Sequence, residues 1–181
     1  TVDYVRELGG LIEIKKNDSL LNLDGLAGIE GHVGAVWIQS NLSLVSSVGL
    51  SGVESTEGYF TFLHHPELSE FTGLSGLKYV GGACRLGVSP LVTDLSPLAS
   101  LEYVGDMLTM GKVGAEELRF DSLTTVGGTL GVVNNPALNS IQGLRNLETV
   151  GNHLDIYGND ALVDLEGLNS VRTIGGVLQI W

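Results

Sequence analysis

The residues able to do chemistry in this chain are few and widely separated. Acid–base cleavage of a polysaccharide needs charged groups that reach one substrate atom. Glu13, Arg85 and Asp155 recur in one register of the sequence, but Arg85 and Asp155 fall three repeats apart. At the spacing of parallel strands that is about 14 Å, too far to share an atom. The four histidines, His32, His64, His65 and His153, occupy different registers or distant repeats, so no three-ligand metal cluster is expected. Glu70, Asp94 and Asp164 form a sparse acidic row that reads as a solvated face ahead of a calcium site. Cys84, the single cysteine, has no neighbouring base and reads as a small buried hydrophobe. Gly81-Gly82 is followed by neither lysine nor helix and is no phosphate loop. Neither a catalytic group nor a cofactor is expected.

What positions these residues is a repeat. Ile14, Ile38, Phe62, Leu86, Met110, Val132, Ile156 and Ile180 are spaced by 24, 24, 24, 24, 22, 24 and 24 residues. Two residues before each stands another apolar side chain: Ile12, Val36, Phe60, Cys84, Leu108, Leu130, Leu154 and Leu178. Apolar-x-apolar is strand alternation with both apolar residues inward. A fixed period of this length marks a solenoid, in which each unit buries its apolar face against its neighbours. Upstream of the strand comes Val-Gly-Gly or Ile-Gly-Gly (Val80–Gly82, Val126–Gly128, Ile174–Gly176), where a coil can approach the next closely.

Three residues after each anchor come Asn17, Asn41, His65, Ser89, Val113, Asn135 and Asn159. Asparagine bonds backbone groups and tolerates left-handed angles, so Asn17, Asn41, Asn135 and Asn159 are expected to stack as a structural ladder. Leucine-type residues then recur every third position, as at Leu162, Leu165, Leu168 and Val171, which predicts short strands or 3₁₀ turns rather than helices. His32 and Thr56 stand at expected core positions of the second coil. The coil from Met110 to Val132 is two residues short, so a distortion is expected near Lys112 to Asp121. The expected fold is mainly β: a right-handed, single-stranded β-helix or leucine-rich-repeat-like solenoid. Eight rungs of about 24 residues would make residues 1–181 one domain.

Val-Gly-Gly-x-Leu-x-Ile-x-x-Asn-x-x-Leu-x-x-Leu-x-Gly-Leu-x-x-Leu-x-x-Val resembles the repeat of the receptor L domain family. The closest copies run from Val126 to Val150 and from Val150 to Ile174. The resemblance implies a right-handed solenoid outside cells, of the kind found in growth factor receptor lobes and in microbial and fungal surface proteins. It carries no ligand residue across. Ordinary leucine-rich repeats differ in register, because Asn159 precedes Leu162 by three.

Nine basic against 21 acidic residues give a net charge of -12, which opposes binding to nucleic acid or an anionic membrane. No apolar run reaches the roughly 20 residues of a membrane span. A lone cysteine allows no internal disulfide, a composition that fits the cytosol and equally a secreted solenoid. Thr1 is not an initiator, so a processed form or an excerpt is expected. The strand ending at Trp181 carries no polar cap, which leaves end-to-end self-association open.

The outward rows of the strands give the candidate contact face: Trp37, Leu63, Arg85, Val133, Asp155, Tyr157 and Trp181. Aromatic and aliphatic side chains on a sheet surface suit a protein or glycan partner, and a covering segment would explain them too. Regular Thr-x-Thr rows, as ice binding requires, are absent there. Asn17-Asp18-Ser19 and Asn41-Leu42-Ser43 are sequons, which makes Asn17 and Asn41 candidate glycosylation sites as well as ladder residues. The expectation is a non-enzymatic recognition or adhesion module, extracellular or at the cell surface. A structural subunit of a surface or filament assembly is the alternative, and a polysaccharide-acting β-helix enzyme the third reading.

Overall fold

The structure, a computed structural model, describes residues 8–181. It is mainly β. Its strands pair in parallel as a 14-stranded sheet that does not close on itself. Strand Gly31–Gln39 joins two columns within it. Residues 36–39 pair with Phe60–Leu63, and that column continues through Cys84–Ser89, Leu108–Val113, Leu130–Val133, Leu154–Tyr157 and Leu178–Ile180. Leu8–Lys15 pairs on its other side. Residues 31–33 pair with Val53–Thr56, which leads into two-residue strands from Tyr79–Val80 to Thr173–Ile174. The result is β-solenoid-like, with coils stacked in register.

Burial follows the two-residue alternation. Val36 and Ile38, Phe60 and Phe62, Cys84 and Leu86, Leu108 and Met110, Leu130 and Val132, Leu154 and Ile156 are all buried, in one continuous apolar cluster. Each such side chain stabilises the stack by about 1.5–3 kcal/mol relative to staying in water. The glycines explain how coils come so near. A Cβ on Gly105 would lie 2.0 Å from the Gly81 carbonyl oxygen, and one on Gly151 would lie 2.0 Å from that of Gly127. Neither position admits a side chain without spreading the coils.

The every-third-residue leucines fold as 3₁₀ turns, including Asp24–Leu26, Val48–Leu50, Thr72–Leu74, Ser96–Leu98, Gln142–Leu144 and Glu166–Leu168. Among the described residues the 22-residue coil has no such turn. Its return path carries a single parallel bridge from Glu117 to Ser140 instead.

Two local expectations fail. His32 is exposed, and Val33 takes the inward position beside Thr56. The cause is a register shift between Gly31 and His32, beside Gly31 at φ 73°, and a one-residue shift exchanges the faces of a strand. Thr56 does lie inward, its hydroxyl donating to Gly58 O at 2.9 Å. The left-handed corner residue is not the ladder asparagine. It is the residue before it, at Lys16, Ser40, His64, Val88, Lys112, Asn134 and Gly158.

Candidate functional site

The corner beneath the sheet is built from side-chain to backbone bonds between coils. Asn41 Oδ1 accepts from Asn17 N–H at 3.0 Å, and Asn41 Nδ2 donates to Ile14 O at 3.1 Å. Asn159 repeats both, toward Asn135 N–H at 3.0 Å and Val132 O at 2.9 Å. Asn135 does the same toward Val113 N–H and Met110 O across the short coil. His65 imitates an asparagine: Nδ1 faces Asn41 N–H at 3.4 Å and Nε2 faces Ile38 O at 3.3 Å. With Nδ1 as acceptor and Nε2–H as donor, the neutral ring fills both roles. Burial pushes its pKa down, outweighing the Asn41 and Ile38 carbonyls that favour the charged form, and His64 adds to the fall. The chain of contacts thins at Ser89, whose hydroxyl reaches only Gly87 O at 3.4 Å.

These bonds distinguish the surroundings of the two sequons. Asn41 is fully buried with its amide nitrogen committed to Ile14 O, so a glycan there would break the corner. Asn17 is exposed, its Nδ2 donating to Lys15 O at 3.1 Å.

The acidic row is a set of turn caps. Asp94 Oδ1 accepts from Ser96 N–H at 2.8 Å, and Asp164 Oδ1 accepts from Glu166 N–H at 2.9 Å. Ser46 and Ser140 hydroxyls do the same for Val48 and Gln142. The backbone N–H and hydroxyl of Ser96 hold the Asp94 carboxyl below the usual carboxylate range. At Glu70 burial acts to raise the pKa, yet bonds from Thr72 and Ser47 prevail and lower it. No group of three metal-ligating side chains forms among the described residues. Burial pushes the Cys84 thiol up to about 12, only partly opposed by the charge of Arg85, so it carries no thiolate at neutral pH.

The outward rows of the long-strand column form two clusters. At one end Trp37, Gln39, Tyr59, Thr61, Leu63 and Arg85 line a cavity of about 320 Å³. Trp37 and Tyr59 meet edge to face, with ring centroids 5.9 Å apart and planes at 89°. Trp37 Nε1 donates to Gln39 Oε1 at 2.7 Å. Lys15, ion-paired to Glu13, holds its ammonium 3.8 Å from the Trp37 ring centre. At the other end Tyr157 and Trp181 stack at 4.7 Å, beside Val133 and Asp155. Asp155 Oδ1 is buried there with no hydrogen-bond partner among the described residues.

Between the clusters the rows read Gly87 and Gly111, and Thr109 and Gly131. The structure therefore groups Trp37, Leu63 and Arg85 and separates them from Val133, Asp155, Tyr157 and Trp181. The register places Arg85 and Asp155 three coils apart, through Thr109 and Gly131. Trp181 is 77 % exposed, whereas Trp37, Leu63, Val133 and Tyr157 are half-buried against neighbours in the rows.

Three aromatic residues were missed by the sequence reading. Tyr59 joins the Trp37 cavity, and its place before inward Phe60 marks it as outward. Tyr79 and Tyr103, 24 residues apart, stack at 4.6 Å on the short-strand column.

No protein-family model, no curated protein and no solved structure matches the chain.

Proposed function

We propose that this chain is a non-enzymatic recognition or adhesion module, working outside the cell or at its surface, that binds a protein or glycan through its outward sheet face. In this reading the stack is a right-handed solenoid of eight rungs of about 24 residues, akin to the receptor L domain family. The carrying observation is the cavity lined by Trp37, Tyr59, Leu63 and Arg85 on the outward side of the sheet. Aromatic residues and arginine gathered at a rigid surface are the groups that anchor partners. The two outward charges nearest to a catalytic pair are three coils apart, which favours binding over cleavage.

The purified chain, screened against immobilised glycans and cell-surface proteins, is expected to bind at least one. Trp37→Ala or Tyr157→Ala, according to the cluster that the partner engages, should weaken that binding about tenfold or more with the circular dichroism unchanged. Binding untouched by both substitutions removes this face from consideration.

A structural subunit of a surface or filament assembly is the second reading. Its support is the stacking geometry: Leu178 and Ile180, in the inward rows, are 49 % and 43 % exposed, a surface that a further coil, of this chain or of a second copy, would cover. It predicts concentration-dependent multimers in sedimentation, and a monomer at all concentrations would contradict it.

A further inference from the structure

We infer that the Trp37–Arg85 cavity is a site for an acidic saccharide, a sugar ring bearing a carboxylate. The inference rests on the contact-face reading and narrows it to one ligand chemistry. The cavity is rich in hydrogen-bond donors. Arg85 offers a guanidinium with no ion-pair partner among the described residues, whose ion pairs join Lys15 to Glu13, Lys78 to Glu54, Arg119 to Glu117 and Arg145 to Asp121. Gln39 spends its amide oxygen on Trp37 Nε1, which leaves its two N–H groups to donate. Thr61 and Tyr59 add hydroxyls to the lining. Among the described residues no carboxylate lines the cavity. A ligand that satisfies it must be rich in acceptors and carry negative charge, and an arginine fork receives a carboxylate through two parallel bonds.

Charge sharpens the choice. The chain carries -12 overall, yet among the described residues of the outward rows at this end Lys15 and Glu13 pair with each other and Arg85 is left as an uncompensated positive charge. A local positive spot on an acidic molecule repels most polyanions at long range and accepts one small carboxylate at contact.

Geometry separates a sugar from an acidic peptide. An extended peptide binds a sheet by adding to a free strand edge. Here residues 36–39, Phe60–Leu63 and Cys84–Ser89 are each paired on both sides, so the face offers side chains only. A volume of about 320 Å³ is at the lower limit for small-molecule sites and fits a short oligosaccharide end, not a helix. Trp37 and Tyr59 border the cavity edge to face, and the Lys15 ammonium covers one face of Trp37, so a ring face left open is the apolar wall for a pyranose.

The probe is the methyl glycoside of galacturonic acid, one ring bearing one carboxylate, with its neutral methyl ester as the matched control. Titration calorimetry on the intact chain should show binding of the acid and at least about tenfold weaker binding of the ester. Arg85→Gln should abolish the preference for the acid, while Arg119→Gln, a cation off this face, should leave it unchanged. Trp37 emission, isolated in a Trp181→Phe background, should shift on binding. Equal binding of acid and ester, no binding of either, or a preference that survives Arg85→Gln overturns the assignment. If a neutral glycan or a protein instead binds in a manner lost with Trp37→Ala, the contact-face reading stands and the acidic-sugar assignment falls. If no ligand depends on Trp37 or Tyr157, both fall.

Discussion

The outer coils and the middle of the stack solve the same corner differently. Toward the two ends, the Asn41 and Asn159 amides each tie a backbone N–H and a strand carbonyl of the previous coil. In the middle, Ser89 and Val113 hold the ladder positions, and neither reaches back in that way. The middle is also where Gly87 sits at φ 130°, Val88 at φ 53° and the coil shortens by two residues. The lesson is that inward leucine-type rows suffice to keep coils stacked, while the asparagines fix the corner between them.

The largest test of this contrast is Asn135→Ala. It strands Val113 N–H and Met110 O in a buried corner and should cost about 3 kcal/mol in urea unfolding. Ser89→Ala removes only a long local bond and should cost under about 1 kcal/mol. Equal losses would show that the amide bonds do not distinguish the two regions.

Val88→Asn should act in the opposite direction. A β-branched residue in the left-handed region is strained by about 1–2 kcal/mol, and asparagine tolerates that region. A gain of about 1 kcal/mol is expected, and a loss would mean that the valine contacts matter more than its backbone angle.

The smallest effect at neutral pH belongs to His65. Its folded pKa lies below the unfolded value of 6.5, so the unfolded chain binds a proton more readily. Stability is therefore complete above pH 6.5 and declines as pH falls from there through the folded pKa. His65→Asn keeps both ladder bonds and should flatten the melting temperature across that acid window. A mutant with the same acid decline as the parent would place the titrating group elsewhere.

The fold was legible where one residue type serves one backbone role. The apolar pairs, the Gly-Gly approach and the asparagine rows recur because every coil meets the same neighbour. What resisted reading depends on small backbone shifts. The bulge beside Gly31 exchanged His32 for Val33 inside. The left-handed residue preceding each ladder position has no shared type, from Lys16 to Val88 to Gly158. The acidic row looked like cation ligands because capping and coordination use the same oxygen atoms, and only the N–H at Ser96 or Glu166 tells them apart. The outward rows themselves were visible from the strand alternation. Their split into two clusters required knowing that Gly87, Gly111 and Gly131 empty the middle.

Stacking in register across the short coil is the claim beneath all of this, and a cysteine pair tests it directly. Thr109 and Gly131 are register partners, and a Cβ at Gly131 would have no atom nearer than 3.7 Å. Thr109→Cys with Gly131→Cys should oxidise to a disulfide in the folded protein, since adjacent parallel strands place Cα atoms about 5 Å apart. Thr109→Cys with Val133→Cys, the pair that an uninterrupted 24-residue period would align, should remain reduced. The reverse outcome would contradict the stack described here.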